Sequence, residues 1–159
     1  MKSNKTFLKL ALACSLPFAA VAAQAGDSGS NGLKDWAQEA GEAVNTVMNA
    51  PTLYSATGSG AGLALYQVTI DRDGDVVDAI RVKKPSDMGI RAAARKVLRK
   101  VDFPDLPASY NQDKLTFVLQ LSYATSDEQA EKFLRQGYVT SQQIAQNSDT
   151  IRVVAQNIN

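Results

Sequence analysis

Residues 114–123 read KLTFVLQLSY, and the fold turns on how this stretch is read. Leu115, Phe117, Leu119, Leu121 and Tyr123 share one face of an extended chain, because successive side chains of a strand point to opposite sides. Lys114, Thr116, Val118, Gln120 and Ser122 share the other. The alternation predicts a strand in a half-buried sheet, with the five apolar residues against a core and the second face towards water. Pro104 and Pro107 stiffen the loop at residues 102–113 that leads into it.

Further strand signals lie upstream at residues 63–70 and 76–82, on either side of IDRDGDVVDAI, residues 70–80. Asp73-Gly74 between two apolar runs predicts a tight hairpin in which the glycine takes a positive φ. Tyr66, Val68 and Ile70 fall on one face, and Val76, Ile80 and Val82 are expected on the same buried side of the ribbon. The four acids also invite comparison with a calcium loop, but the spacing fails. Counted from Asp71, glycine falls at position 4 instead of 6, and Val82 stands where position 12 needs a bidentate glutamate. Carboxylate chemistry by Asp71, Asp73, Asp75 and Asp78, such as polysaccharide hydrolysis, requires acids converging on a cleft, whereas neighbours at a hairpin tip point into solvent. The reading assigns no catalytic residue, no metal and no cofactor.

Leu33, Trp36, Ala37, Ala40, Val44, Val47 and Met48 recur at helical spacing, predicting an amphipathic helix over residues 33–48 with Trp36 as a packing anchor. Residues 26–32, GDSGSNG, read as a flexible leader. Pro51 ends the helix and SATGSGAG, residues 55–62, reads as a loop. A second helix is expected over residues 88–101, capped by Ser86 or Asp87, with Ile90, Ala93 or Ala94, Val97 and Val101 inward. Arg91, Arg95 and Arg99 recur on another face of it, and Arg81, Lys83, Lys84, Lys96 and Lys100 extend the charge. Asp87 is the one acid between Arg81 and Lys100. Such a run is either a solvated face or a docking patch for an acidic partner or an anionic envelope polymer. Beyond Ala124 the chain reads as a polar, helical tail, residues 125–159. A short helix opens at Ser126, carries Ala130, Phe133 and Leu134, and stops at Gly137. Ile144, Ile151, Val153, Val154 and Ile158 beyond it receive no assignment.

At the amino end, Lys2, Lys5 and Lys9 precede an apolar run and Ala23-Gln24-Ala25, the pattern of a signal peptide cut after residue 25. The run is too short for a membrane span, which needs about 20 residues, so no stable membrane anchor is expected after cleavage. Cleavage removes the single cysteine, Cys14, and three lysines, turning the formal charge of +1 into −2. That balance argues against a nucleic-acid binder. The chain has no histidine, which excludes Ser-His-Asp and Cys-His machinery. One domain of about 92 residues, 33–124, and the tail complete the organisation, in a protein expected in the periplasm.

Helix, hairpin, helix and strand can bury their apolar faces as an α+β domain, a three-stranded antiparallel sheet with helices packed on one face. The right-handed crossover rule then leaves residues 114–123 at an open edge. Residues 62–124 resemble the TonB C-terminal domain family, with the TolA terminal domain related. The resemblance rests on Val68, Ile70, Asp71, Asp73, Gly74 and Val76 as V-x-I-D-x-D-G-x-V, on Pro85-Ser86, on Ala93-Ala94, on Phe103-Pro104 followed by Pro107, and on the closing apolar strand. It implies transport-linked proteins that bind outer-membrane receptors, often by taking a receptor peptide as an added strand. Ile90-Arg91 replaces the family's usual Leu-Asp, and neither a histidine nor a long Pro-rich spacer is present. The expectation is therefore a non-enzymatic interaction module for a periplasmic or outer-membrane protein segment, binding along Lys114, Thr116, Val118, Gln120 and Ser122. A regulatory or structural envelope protein docking through Arg91, Arg95 and Arg99 is the alternative. A bare edge can also pair with itself as a homodimer.

Overall fold

The computed structural model describes residues 27–53, 60–144 and 151–158. The expected leader, residues 1–25, lies outside the described residues. Three long helices and four strands follow in the order α1 (Asp27–Met48), β1 (Gly62–Asp71), β2 (Val76–Lys83), α2 (Met88–Leu98), β3 (Lys114–Ala124), α3 (Asp127–Ile144) and β4 (Ile151–Ile158). Residues 51–53 add one helical turn. Among the described residues, no helix is long and apolar enough to cross a membrane.

The fold is α+β, but its sheet has four strands in the order β2-β1-β3-β4. β1 pairs antiparallel with β2 and with β3, and β4 runs parallel to β3 from Phe117 opposite Ile151 to Ala124 opposite Ile158. This corrects two expectations. The sheet is mixed, not three-stranded and antiparallel, and β3 is an interior strand over most of its length. The carboxy-terminal segment is therefore not a purely helical tail. A parallel neighbour requires a crossover connection, which α3 supplies.

The main core lies on the face predicted for it. Leu115, Phe117, Leu119, Leu121 and Tyr123 of β3 are buried with Tyr66, Val68 and Ile70 of β1, beneath α1 and α2. Trp36 of α1 meets the edge of Phe117 with ring centroids 5.2 Å apart and donates from Nε1 to the Pro104 carbonyl at 2.9 Å. Phe103 forms a second T-shaped pair with the same ring at 5.3 Å. Such aromatic pairs contribute about 0.5–1.5 kcal/mol each beyond the area they bury. α1 begins earlier than the periodic stripe does, at Asp27, so residues 27–32 are helix and not a flexible leader. An added Cβ at Gly32 would meet Ser109 and Pro107, so α1 passes close to the loop before β3 at that point.

The second face of β3 is not in water. Val118, Gln120 and Ser122 are buried, and α3 covers them, with Phe133 and Ile144 packed on Val118, Leu63 and Leu65. The helices thus lie on both faces of the sheet, not on one. Gln120 Nε2 donates to Ser122 Oγ and to the Phe133 carbonyl, both at 3.1 Å. Its side chain fills the space beside Gly137, where an added Cβ would collide with the Gln120 amide. Gly137 therefore does not end the helix. It is the notch that lets α3 approach a strand carrying a buried glutamine.

The hairpin forms as predicted: Gly74 has φ +82°. Asp71 organises the turn, its Oδ1 accepting from the amides of Asp73 and Asp75. α2 is capped by Asp87, whose Oδ1 accepts from the Ile90 amide at 2.8 Å. A cap of this kind is worth about 1 kcal/mol.

Candidate binding surface

A sheet of four strands has two edges, and here they differ. The β4 edge is covered by α1. Asn45 Oδ1 accepts from the Gln156 backbone amide at 2.9 Å, Gly41 lies close against the Val154 carbonyl, and Asn157 Nδ2 donates to Asn49 Oδ1 at 2.6 Å. The backbone groups that β4 turns away from β3 thus meet a helix.

The β2 edge has no such cover among the described residues. Seven of its eight residues are exposed, including Val76, Val77, Ile80 and Val82. The expectation that Val76, Ile80 and Val82 are buried fails for a topological reason: β2 is an outermost strand, and among the described residues no helix extends over it. The register is also offset by irregularities between Leu65 and Tyr66 and between Thr69 and Ile70. As a result Ile80 stands opposite Gln67, on the other face of the sheet from Tyr66 and Val68.

The direction of the free amides follows from two hydrogen bonds. Asp71 N–H donates across the hairpin to the Asp75 carbonyl, so alternation directs the amides of Thr69 and Gln67 towards β2 as well. Their partners Asp78 and Ile80 then face β1, and Ala79 and Arg81 face outward. Consistent with this, the Ala79 amide is taken by the carboxylate of its own neighbour, Asp78 Oδ1, at 2.9 Å. Asp78 is thus a plug on the open ladder.

Beside this edge lies a groove of about 260 Å³ lined by Arg81, Lys84, Met88, Arg91 and Arg95. Arg81 stands opposite Tyr66 in the ladder, while Arg91 and Arg95 are one turn apart on α2. Burial pushes the Tyr66 phenol above its ordinary value, against the opposing pull of the Arg81 and Arg95 guanidinium groups. Arg91 Nε donates to the Asp87 carbonyl at 3.2 Å, which anchors one end of its guanidinium.

The structure divides the residues singled out in the sequence. Arg91 and Arg95 come together in the groove, whereas Arg99 forms the C-terminal cap of α2 and does not line it. Lys114 and Thr116 are exposed at the start of β3, ahead of its pairing with β4, and Thr116 Oγ1 lies 2.9 Å from Thr69 Oγ1. Val118, Gln120 and Ser122 are enclosed between β1 and β4 and beneath α3, so this part of the expected interface is overturned. Asp78, Ala79 and Arg81 take its place at the free edge. Their signal in the sequence was an eight-residue strand mixing valines with Asp, Arg and Lys, a composition that suits an outermost strand.

No family model, curated protein or solved structure matches this chain.

Proposed function

We propose that this chain is a periplasmic interaction module that binds an extended segment of an envelope protein as a fifth strand along β2. The reading keeps the mode that the resemblance to the TonB C-terminal domain implies and moves it to the other side of the sheet. One observation carries it: among the described residues no strand or helix pairs with the outer side of β2, whose Ala79 amide is held only by its neighbour Asp78, and β2 is exposed on both faces, while α1 covers the opposite edge.

In strand addition the main chain supplies affinity and alternate side chains supply selectivity. Each backbone bond contributes about 0.5–1.5 kcal/mol net. The four or so bonds that an eight-residue edge offers are offset by association costs of roughly 4–15 kcal/mol. Apolar anchors must supply the difference, and Val77 and Ile80 are exposed to supply it, at about 1.5–3 kcal/mol for each side chain fully covered. Binding is therefore reversible and depends on the partner's own apolar residues.

The test is a photo-crosslinking residue at Val77 in the exported protein, with and without Ala79→Pro. Proline at 79 removes an outward amide and leaves the ladder to β1 intact. Crosslinks to an envelope protein that vanish in the folded Ala79→Pro variant support strand addition. Equal crosslinks in that variant refute it.

A further inference from the structure

We infer that the groove between β2 and α2 is a binding site for a phosphate group, carried by a phosphate monoester or a diphosphate. The inference stands on the groove alone and does not depend on strand addition at β2.

Four cations line the groove, Arg81 from β2, Lys84 just beyond it, and Arg91 and Arg95 from α2, and among the described residues no carboxylate lines it with them. The ion pairs among the described residues, Arg72 with Asp113 and Arg135 with Glu131, involve none of the four. The two acids nearest in sequence are occupied elsewhere. Asp78 accepts from the Ala79 amide and Asp87 from the Ile90 amide, so each carboxylate is held by backbone. Like charges one helical turn apart, as at Arg91 and Arg95, repel one another and destabilise the helix. The fold retains that repulsion and adds two further cations to it, and an anion in the groove relieves it.

Charge and shape select the class of anion. A single carboxylate brings one negative charge to four positive ones, whereas a phosphate monoester brings about −1.5 to −2 near neutral pH, with three strong acceptor oxygens. Guanidinium groups present planar forks that match phosphate oxygens in pairs, and three of the four cations are arginines. The volume of about 260 Å³ lies just below the roughly 300–1,000 Å³ typical of sites for larger organic ligands, which suits an anionic head group. Met88, 76% exposed, lines the same groove. It offers an apolar contact for whatever the phosphate is attached to. A soluble phosphate ester and a phospholipid head group share this chemistry.

Titration of the mature protein with pyrophosphate at low salt, followed by calorimetry and by amide chemical shifts, tests the site. The expected result is saturable binding with shifts centred on residues 81–95, weakened at least tenfold in Arg81→Gln/Arg95→Gln and unchanged in Ala79→Pro. Because Arg81, Lys84 and Arg95 are exposed, raising the salt to about 0.5 M should weaken binding further. Arg95→Gln alone serves where the double variant does not fold. Vesicles of phosphatidylcholine with and without phosphatidylglycerol separate the two sources: retention on the anionic vesicles assigns a lipid head group, and pyrophosphate binding without retention assigns a soluble phosphate. Both outcomes support the site. Absence of saturable binding, equal binding by the arginine variants, or displacement of pyrophosphate by tetraglutamate at equal concentration would overturn it, the last in favour of an acidic peptide surface.

Discussion

Replacing Gly137 by alanine should destabilise this protein, although the same change in an exposed helix interior stabilises by about 0.5–1 kcal/mol. The sign is decided by Gln120. A Cβ at position 137 would occupy the place of the Gln120 amide, whose Oε1, Cδ and Nε2 are all within contact of it. To make room, the amide must leave Ser122 Oγ and the Phe133 carbonyl while remaining fully buried. Stranding a buried amide costs about 1–3 kcal/mol, and overpacking adds a cost of similar size. After the propensity gain, a net loss of about 3 kcal/mol remains, equivalent to a fall in Tm of roughly 9–15 °C for a domain of this size. Thermal and urea unfolding should show it, with the urea slope unchanged. Truncating the partner tests the cause. In Gly137→Ala/Gln120→Ala the combined loss should be smaller than the sum of the single losses by at least about 0.5 kcal/mol, the signature of residues in contact. A Gly137→Ala variant that melts higher than the parent, or a double variant that is simply additive, would refute the placement of α3 over the second face of β3.

Three other outcomes follow from the same structure. Tyr123 buries a hydroxyl that makes no hydrogen bond among the described residues, so Tyr123→Phe should raise stability by about 1 kcal/mol in urea unfolding. Burial, and to a lesser degree the neighbouring Tyr66, also pushes the Tyr123 phenol far above its ordinary range. Its contribution is complete below about pH 10 and is lost as pH rises further, because the unfolded chain releases a proton that the folded chain holds; the phenylalanine variant should lose less stability on alkaline titration. Asp78→Ala removes the carboxylate from the Ala79 amide and should produce concentration-dependent self-association by sedimentation, whereas Asp105→Ala, in the loop before β3, should not. Gly74→Ala meets both a φ of +82° and the Phe103 carbonyl, and should cost about 1–3 kcal/mol in thermal unfolding.

The local chemistry of the chain was legible in its sequence, and the pairings between distant segments were not. Asp73-Gly74 announces a hairpin because few other pairs accept the turn, and Asp87 announces a helix start because its oxygen suits a free amide. The apolar face of β3 is legible for the same reason, a period of two that only an extended chain satisfies. Gln120 and Ser122 were misplaced because polarity alone assigns them to water. Their burial depends on a glycine on another element, Gly137, 17 positions from Gln120, and no local pattern records that match. β4 was hidden for a related cause. Arg152, Gln156 and Asn157 dilute its apolar signal, since each finds a partner in α3, α1 or β3: Arg152 Nη1 reaches Gln120 Oε1 at 3.5 Å, the Gln156 amide reaches Asn45, and Asn157 reaches Asn49. Without β4 the sequence leaves β3 as an edge strand, and the contact residues expected from it fall on a strand that β4 in fact pairs. Arg91 and Arg95 were legible as neighbours on a helix, but their meeting with Arg81 depended on how the hairpin lies beside α2.

The bonds from Asn45 to Gln156 and from Asn49 to Asn157 join positions 111 and 108 residues apart. Contacts so distant along the chain raise contact order and slow folding, because closing long loops precedes any gain from the bonds they enable. A nascent polypeptide that has not yet released residues 151–158 therefore has nothing to lay against the polar flank of its first helix or the waiting ladder of β3. Completion of the sheet is deferred until those residues have emerged, and until then β3 is an edge strand.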